Sequence, residues 1–191
     1  AHGRGGEQHV HNAPLRSGKG SAYEGGVRVP WIVRWPGVVA KGTTSDVPVI
    51  SHDLYPSLLA AAGVSTPKDH VLDGVDLTPF WQGGDLDREH PLVWHMPHFW
   101  GVHGPGIQPY SALRQGSLKL LFFQGDGRIE LYDVAQDPGE TQDLAPERPA
   151  DARRLAQLLA AELLRRKAQA PRIKGGGQPL GVMAALNEMQ R

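Results

Sequence analysis

Three short apolar runs, Tyr110–Arg114, Leu118–Phe123 and Ile129–Asp133, are separated by Gln115-Gly116-Ser117 and Gly125-Asp126-Gly127. Runs of five or six β-branched, aromatic and leucine residues set between glycine turns read as strands, and connections this short join antiparallel neighbours. The predicted unit is an antiparallel meander. A helix follows over about 150–168, where Leu155, Leu158, Leu159 and Leu163 make an apolar stripe at helical spacing. Arg165, Arg166 and Lys167 suit the negative end of its dipole, and Pro171 ends it. One helix on one face of such a sheet is an α+β layer that buries its own core. With Leu92-Val93-Trp94-His95 as a further short strand, this places a small α+β subdomain at 92–170, with an antiparallel sheet and one amphipathic helix.

The preceding ninety residues are organised differently. Residues 1–28 are glycine-rich and without period, so they read as loop. Val29–Trp35 is a short apolar run closed by Pro36-Gly37, predicted as a buried strand, with Pro30 confined to its start. Asp53 is placed to cap a helix whose Leu54, Leu58 and Ala61 share one face, with Pro56 in its first turn and Gly63 at its exit. Residues 64–91 are turn-rich and acidic, with one apolar cluster at Leu77, Phe80 and Trp81. From Ile173 the chain reads as a flexible tail with a short helix at about 182–190.

Composition removes several function classes. The 191 residues include no cysteine, which excludes a disulfide framework, a Cys-ligated zinc or iron–sulfur site and a cysteine-derived nucleophile carried here. No apolar stretch approaches the ~20 residues of a membrane-spanning helix. Net charge is zero, divided as +3 over residues 1–50, −8 over 51–150 and +5 over 151–191. The basic residues are scattered among glycines rather than gathered with aromatics, which argues against nucleic acid as a partner. Trp31, Trp35, Trp81 and Trp94 read as core, and His2, His9 and His11 as solvated.

The strongest local signal is Pro14 to Pro30, in which Lys19 sits between Gly18 and Gly20. Without Cβ atoms on either side, an anion can approach both the ammonium and the neighbouring N–H groups. It is not a P-loop, since Gly-x-x-x-x-Gly-Lys-Ser/Thr is absent. From spacing alone, a phosphate or sulfate cradle and a solvated loop lysine both remain open.

The run Asn12–Pro30, with Ile32-Val33-Arg34-Trp35-Pro36-Gly37 and Ser51-His52-Asp53-Leu54-Tyr55-Pro56-Ser57-Leu58-Leu59, resembles the later part of the sulfatase family, in particular arylsulfatases and N-acetylgalactosamine-6-sulfatases. Leu113–Leu120 and Leu131–Thr141 resemble that family's C-terminal subdomain. The resemblance implies an α/β, alkaline-phosphatase-like hydrolase of sulfate esters. It also implies a formylglycine nucleophile, made from a Cys or Ser heading a Cys/Ser-x-Pro-x-Arg, beside a Ca²⁺ ion. Lys19 matches the family lysine that contacts the sulfate. Residues 1–91 are then the C-terminal portion of the main domain, 92–170 the small subdomain and 171–191 a tail.

The sequence departs from the pattern at the nucleophile. Ser65-Thr66-Pro67-Lys68-Asp69 has Asp where Arg is needed, and no other serine fits. No metal ligand is assigned to this chain, and formylglycine and Ca²⁺ belong to the longer enzyme. The expected partners are a sulfated small molecule or glycan and the N-terminal portion of the sulfatase, without which the chain is expected to be inactive. Around Lys19, Glu24 and Arg28 read as a buried ion pair, and Gly25 and Gly26 as backbone requirements. The resemblance to polysaccharide sulfatases, whose similar loops reach towards the sugar, implies a substrate contact for His95 and His98, with surface or packing histidines as the other reading, and makes Trp100 the aromatic suited to stack on a sugar. Two other readings stand beside this one: a non-catalytic module that binds sulfated glycan or another anion, and a phosphatase or phosphonate-hydrolase relative on the same fold.

Overall fold

The computed structural model describes residues 12–86, 88–99, 103–171 and 181–189, which form two compact units, one of the residues before Pro30 with those from Val93 onward, the other Pro30–Leu92. In the first, β1 (Leu92–Met96), β2 (Tyr110–Gln115), β3 (Leu118–Phe123) and β4 (Ile129–Asp133) form one sheet in that order. β3 runs antiparallel to both β2 and β4, with Leu113 opposite Leu120 and Leu120 opposite Leu131. The meander therefore forms where the glycine turns divide the sequence.

Every residue of β3 is buried, so both faces of the sheet are covered. On one face, Leu118, Leu120 and Phe122 pack against Leu155, Ala156 and Leu159 of the helix Pro149–Arg165. A second helix, Val182–Met189, adds Val182 and Ala185 to this core, in a segment whose sequence reads as tail. On the other face, Leu121 and Phe123 meet Ala22, Tyr23, Tyr132 and Val134. The cover there is the glycine-rich segment 12–29, including a single helical turn at Glu24–Val27.

The second unit is organised around a buried carboxylate. Asp53 accepts hydrogen bonds from the N–H groups of Ile50 (2.9 Å) and Val75 (3.0 Å), and Arg88 grips it with both terminal nitrogens. Burial pushes the Asp53 carboxyl up, but Arg88 and the two N–H groups outweigh it, and the group sits below the ordinary carboxylate value. Ser57 donates to Asp53 O and accepts from the N–H of Leu77, tying the helix Leu54–Ala61 to the following loop.

Two expectations are corrected in this unit. Val29–Trp35 is not a strand: it has no regular structure and pairs with no strand among the described residues, and Ile32 is 91% exposed. Apolar, β-branched content favours a strand only where a ladder partner exists. The helix at 54–61 forms, yet its apolar stripe faces outward. Leu54 and Leu58 are exposed, while Pro56 and Ser57 are buried.

Candidate functional site

Lys19 occupies the second position of a tight turn closed by the Ser21 N–H on Gly18 O at 3.1 Å. Gly20, the third residue, has φ +92°, the region a type II turn demands and L side chains avoid. The lysine is exposed at the tip. Ser17 and Ser21, on either side, both donate hydroxyl hydrogen bonds to Pro105 O at 3.0 and 2.9 Å, and Ala22 N–H donates to Gly106 O. The turn is thus pinned at both shoulders.

Its base is closed by backbone. Gly25 N–H donates to Arg16 O at 3.0 Å, and the Asn12 amide donates to Gly25 O at 2.7 Å. A Cβ on Gly25 would collide with the carbonyl oxygens of Arg16 and Ser17, and one on Gly26 with that of Ser21. Two glycines are therefore what lets the outgoing helical turn lie directly against the incoming strand of the loop.

Below the loop lies a buried charge cluster. Lys119 Nζ is 2.9 Å from Glu24 Oε1 and 3.0 Å from Glu140 Oε1. Glu140 Oε2 accepts the Glu24 N–H at 2.6 Å, and Glu140 O accepts a hydrogen bond from Arg16 at 2.9 Å. Burial pushes the Glu140 carboxyl up, and Lys119 and the Glu24 N–H offset only part of this. The ion pair between Glu24 and Arg28 forms only at 3.9 Å to Glu24 Oε2, with Arg28 half-exposed; Arg114 stands at the same distance, and Lys119 is the close partner.

Beside it, Tyr23 and Tyr132 both donate to Glu130 Oε2, at 2.9 and 2.8 Å, and Arg128 pairs with Glu130. Burial, then the charge of Glu130, pushes both hydroxyls well above the ordinary phenol value and keeps them donors. The Arg16 guanidinium lies 3.8 Å over the Tyr23 ring and donates to Tyr132 Oη, a cation–π contact that joins the loop base to the same cluster.

Lys19, Glu24, Gly25, Gly26 and Arg28 thus share one loop-and-turn unit. His95 lies elsewhere, in β1, with both ring nitrogens engaged. Gln169 O at 2.8 Å requires a hydrogen on Nε2, so in the neutral ring Nδ1 accepts from the Ser111 hydroxyl at 2.9 Å. His98 is exposed after the strand. Trp100, His2, His9 and His11 lie outside the described residues. The sequence reading missed Lys119, Glu140, Arg16 and Glu130. A single lysine inside Leu-Lys-Leu-Leu-Phe-Phe was the available signal, because a charge buried on a strand needs partners.

Among the described residues, no group of three His, Asp or Glu side chains is placed to hold a metal ion. They do not fit the Ca²⁺ that the resemblance implies, and with no cysteine and no Ser-x-Pro-x-Arg the chain does not carry a formylglycine precursor of the family pattern. No helix among them is long and apolar enough to cross a membrane.

The family model described as N-sulphoglucosamine sulphohydrolase, C-terminal, matches residues 18–169. The chain belongs to this sulfatase family. It is 32% identical to steryl-sulfatase of Rattus norvegicus over 168 residues, covering 76% of this chain and 29% of that protein. It is 34% identical to arylsulfatase A of Homo sapiens over 176 residues, covering 78% of this chain and 33% of that one. This sulfatase segment therefore spans about a third or less of those relatives' length. Among solved structures it resembles Ps i-CgsB in complex with k-i-k-neocarrahexaose, with TM-score 0.66, 28% identity, and 85% and 34% of the two chains covered. It also resembles BT4656 in complex with its substrate D-glucosamine-2-N,6-O-disulfate, with TM-score 0.62, 26% identity, and 73% and 29% covered. The phosphonate monoester hydrolase of Silicibacter pomeroyi, at 22% identity and TM-score 0.53, shares the fold. The α/β fold class is accordingly that of the sulfatases and alkaline-phosphatase-like hydrolases.

Proposed function

We propose that this chain is the C-terminal part of a sulfuric ester hydrolase acting on sulfated carbohydrate or aryl sulfate esters, and that Lys19 contacts the sulfate. The observation that supports this is the Lys19 turn: an exposed lysine at the tip of a loop pinned at both shoulders and closed at its base, within the span that the family model matches. A positive charge held in place before the substrate arrives offsets the sulfate and stabilises charge developing on the leaving oxygen, without reorganising during the reaction. Glu24, Gly25, Gly26 and Arg28 shape the loop that carries it. The remaining family machinery, formylglycine and Ca²⁺, belongs to the N-terminal portion, and no step is assigned to it here. His95, His98 and Trp100 form the proposed sugar-facing set, with His98 the exposed histidine. Residues 1–91 are proposed as part of the main domain and 92–170 as the subdomain, with Ala22 and Tyr23 of the first packed on the subdomain's sheet and Val182 and Ala185 of the segment 171–191 added to its core.

A chromogenic aryl sulfate assay tests this. The 191-residue chain alone is expected to give no turnover, whereas the same chain supplied with the N-terminal portion of its sulfatase is expected to be active. Lys19→Ala in that active form is expected to lower kcat by about 10²–10³-fold. Turnover by the isolated chain, or full activity of Lys19→Ala, overturns the reading. A second reading, a non-catalytic module for sulfated glycan, is favoured by a Lys19 turn kept on a chain without a nucleophile precursor. It predicts saturable binding of galactosamine-sulfate oligosaccharides by the isolated chain, abolished by Lys19→Ala.

A further inference from the structure

We propose that Glu140, together with Lys119, is a positioning residue for Lys19, an inference that rests on reading Lys19 as the sulfate contact. The loop that presents Lys19 runs from Arg16 to Glu24, and Glu140 holds both of its ends. Its carbonyl accepts from Arg16 at 2.9 Å, and its Oε2 accepts the Glu24 N–H at 2.6 Å. The other carboxylate oxygen takes Lys119 Nζ at 3.0 Å, and the same ammonium reaches the Glu24 side chain at 2.9 Å. Glu140 and Lys119 are both wholly buried, and Lys119 projects from β3, an interior strand of the sheet. The base of the loop is therefore referenced to the most buried strand, by charge-assisted hydrogen bonds rather than by loose apolar contact.

This assigns a purpose to two runs that the function left unused, Leu113–Leu120 and Leu131–Thr141, each of which delivers one member of the pair. Glu140 has φ +50°, a conformation uncommon for a residue other than glycine. That backbone turn brings its carbonyl and its carboxylate to the two ends of one loop. Neither Glu140 nor Lys119 touches substrate in this arrangement. Each acts through the placement of Lys19, and a displacement of about 1 Å at a reacting group is worth up to about 10²-fold in rate.

The test is a double-mutant cycle on the complete sulfatase, with kcat/KM for an aryl sulfate as the readout. Lys19→Ala alone addresses the underlying reading: unchanged kcat/KM overturns that reading, whatever Glu140 does. Where Lys19→Ala loses activity, Glu140→Ala is expected to lower kcat/KM by about 10²-fold in the Lys19 background. In the Lys19→Ala background it is expected to leave kcat/KM essentially unchanged, because the group being positioned is already gone. An equal loss in both backgrounds overturns the positioning role. Hydrogen exchange on the unaltered 191-residue chain decides the matter even if Glu140→Ala does not fold. The amides of Glu24 and Gly25 are expected to exchange as slowly as those of Leu118–Phe123, and exchange at the rate of exposed loop amides overturns the proposal.

Discussion

Lys119 Nζ lies 2.9 Å from Glu24 Oε1, joining two fully buried side chains that are 95 positions apart in the sequence. Because Glu140 shares the same ammonium, removing Lys119 leaves two buried carboxylates side by side, with Arg28 and Arg114 no nearer than 3.9 Å to one oxygen of Glu24. Breaking a buried pair from one side costs about 3–5 kcal/mol, whereas replacing all its members by apolar or neutral groups is often near neutral. Lys119→Met is therefore expected to lower the urea-unfolding free energy by about 3–5 kcal/mol. Adding Glu24→Gln and Glu140→Gln is expected to recover much of the loss. A single-variant loss below about 1 kcal/mol would place the pair among weak surface bridges.

Gly25→Ala drives a methyl group into two backbone carbonyls that cannot move without opening the loop. Gly37 has positive φ (+83°) but open space around its Cβ position, so Gly37→Ala pays only the left-handed backbone cost of about 1–2 kcal/mol. Gly25→Ala is expected to exceed that and to raise the hydrogen-exchange rates of residues 16–28 selectively. Equal losses for the two variants in thermal melts would show that the loop yields cheaply.

The meander was legible because its information is local: β3 spans Leu118–Phe123 and β4 Ile129–Asp133, the limits that the glycine turns set. The cover over its second face was not, since no period along the chain records that Tyr23 packs on Phe123, with ring centroids 6.0 Å apart, or that Glu24 meets Lys119. The turn around Lys19 could be read from its glycines, but the grip of Glu140 at its base could not, because that contact spans 116 positions. At residues 54–61, the spacing of Leu54 and Leu58 specified a helix and a stripe correctly. It could not specify which side of the unit the stripe would face.

Asp53 gives a pH dependence with a definite sign. Its folded-state value is depressed, so its stabilisation is fully present above the ordinary carboxylate value, about 4, and is lost as pH falls through the lower folded value. The stability difference between the unaltered chain and Asp53→Asn is expected to be largest at pH 7 and to shrink progressively below about pH 4. Glu140 runs the opposite way. Its raised value makes its contribution greatest below the ordinary carboxylate value, lost as pH rises through the folded one. Denaturant titrations of the Asp53 pair at several pH values check this, and a difference independent of pH down to 3 would contradict it.

In the unit Pro30–Leu92, Ile32, Val71 and Leu58 are 91%, 83% and 58% exposed, and Val64 and Tyr55 are also exposed. Exposed apolar side chains that gather into one patch mark an interaction site or an association liability. Under the proposed function, the N-terminal portion of the sulfatase covers it. The isolated chain is accordingly expected to bind the dye ANS and to associate as its concentration rises. Ile32→Gln with Leu58→Gln should reduce both effects. Neither side chain is buried, so the two substitutions should change the unfolding free energy by no more than about 0.5 kcal/mol each. Supplying the N-terminal portion should suppress ANS binding by the unaltered chain. Dye binding unchanged by both the double substitution and the added portion would show that these side chains are not part of the surface the rest of the enzyme covers.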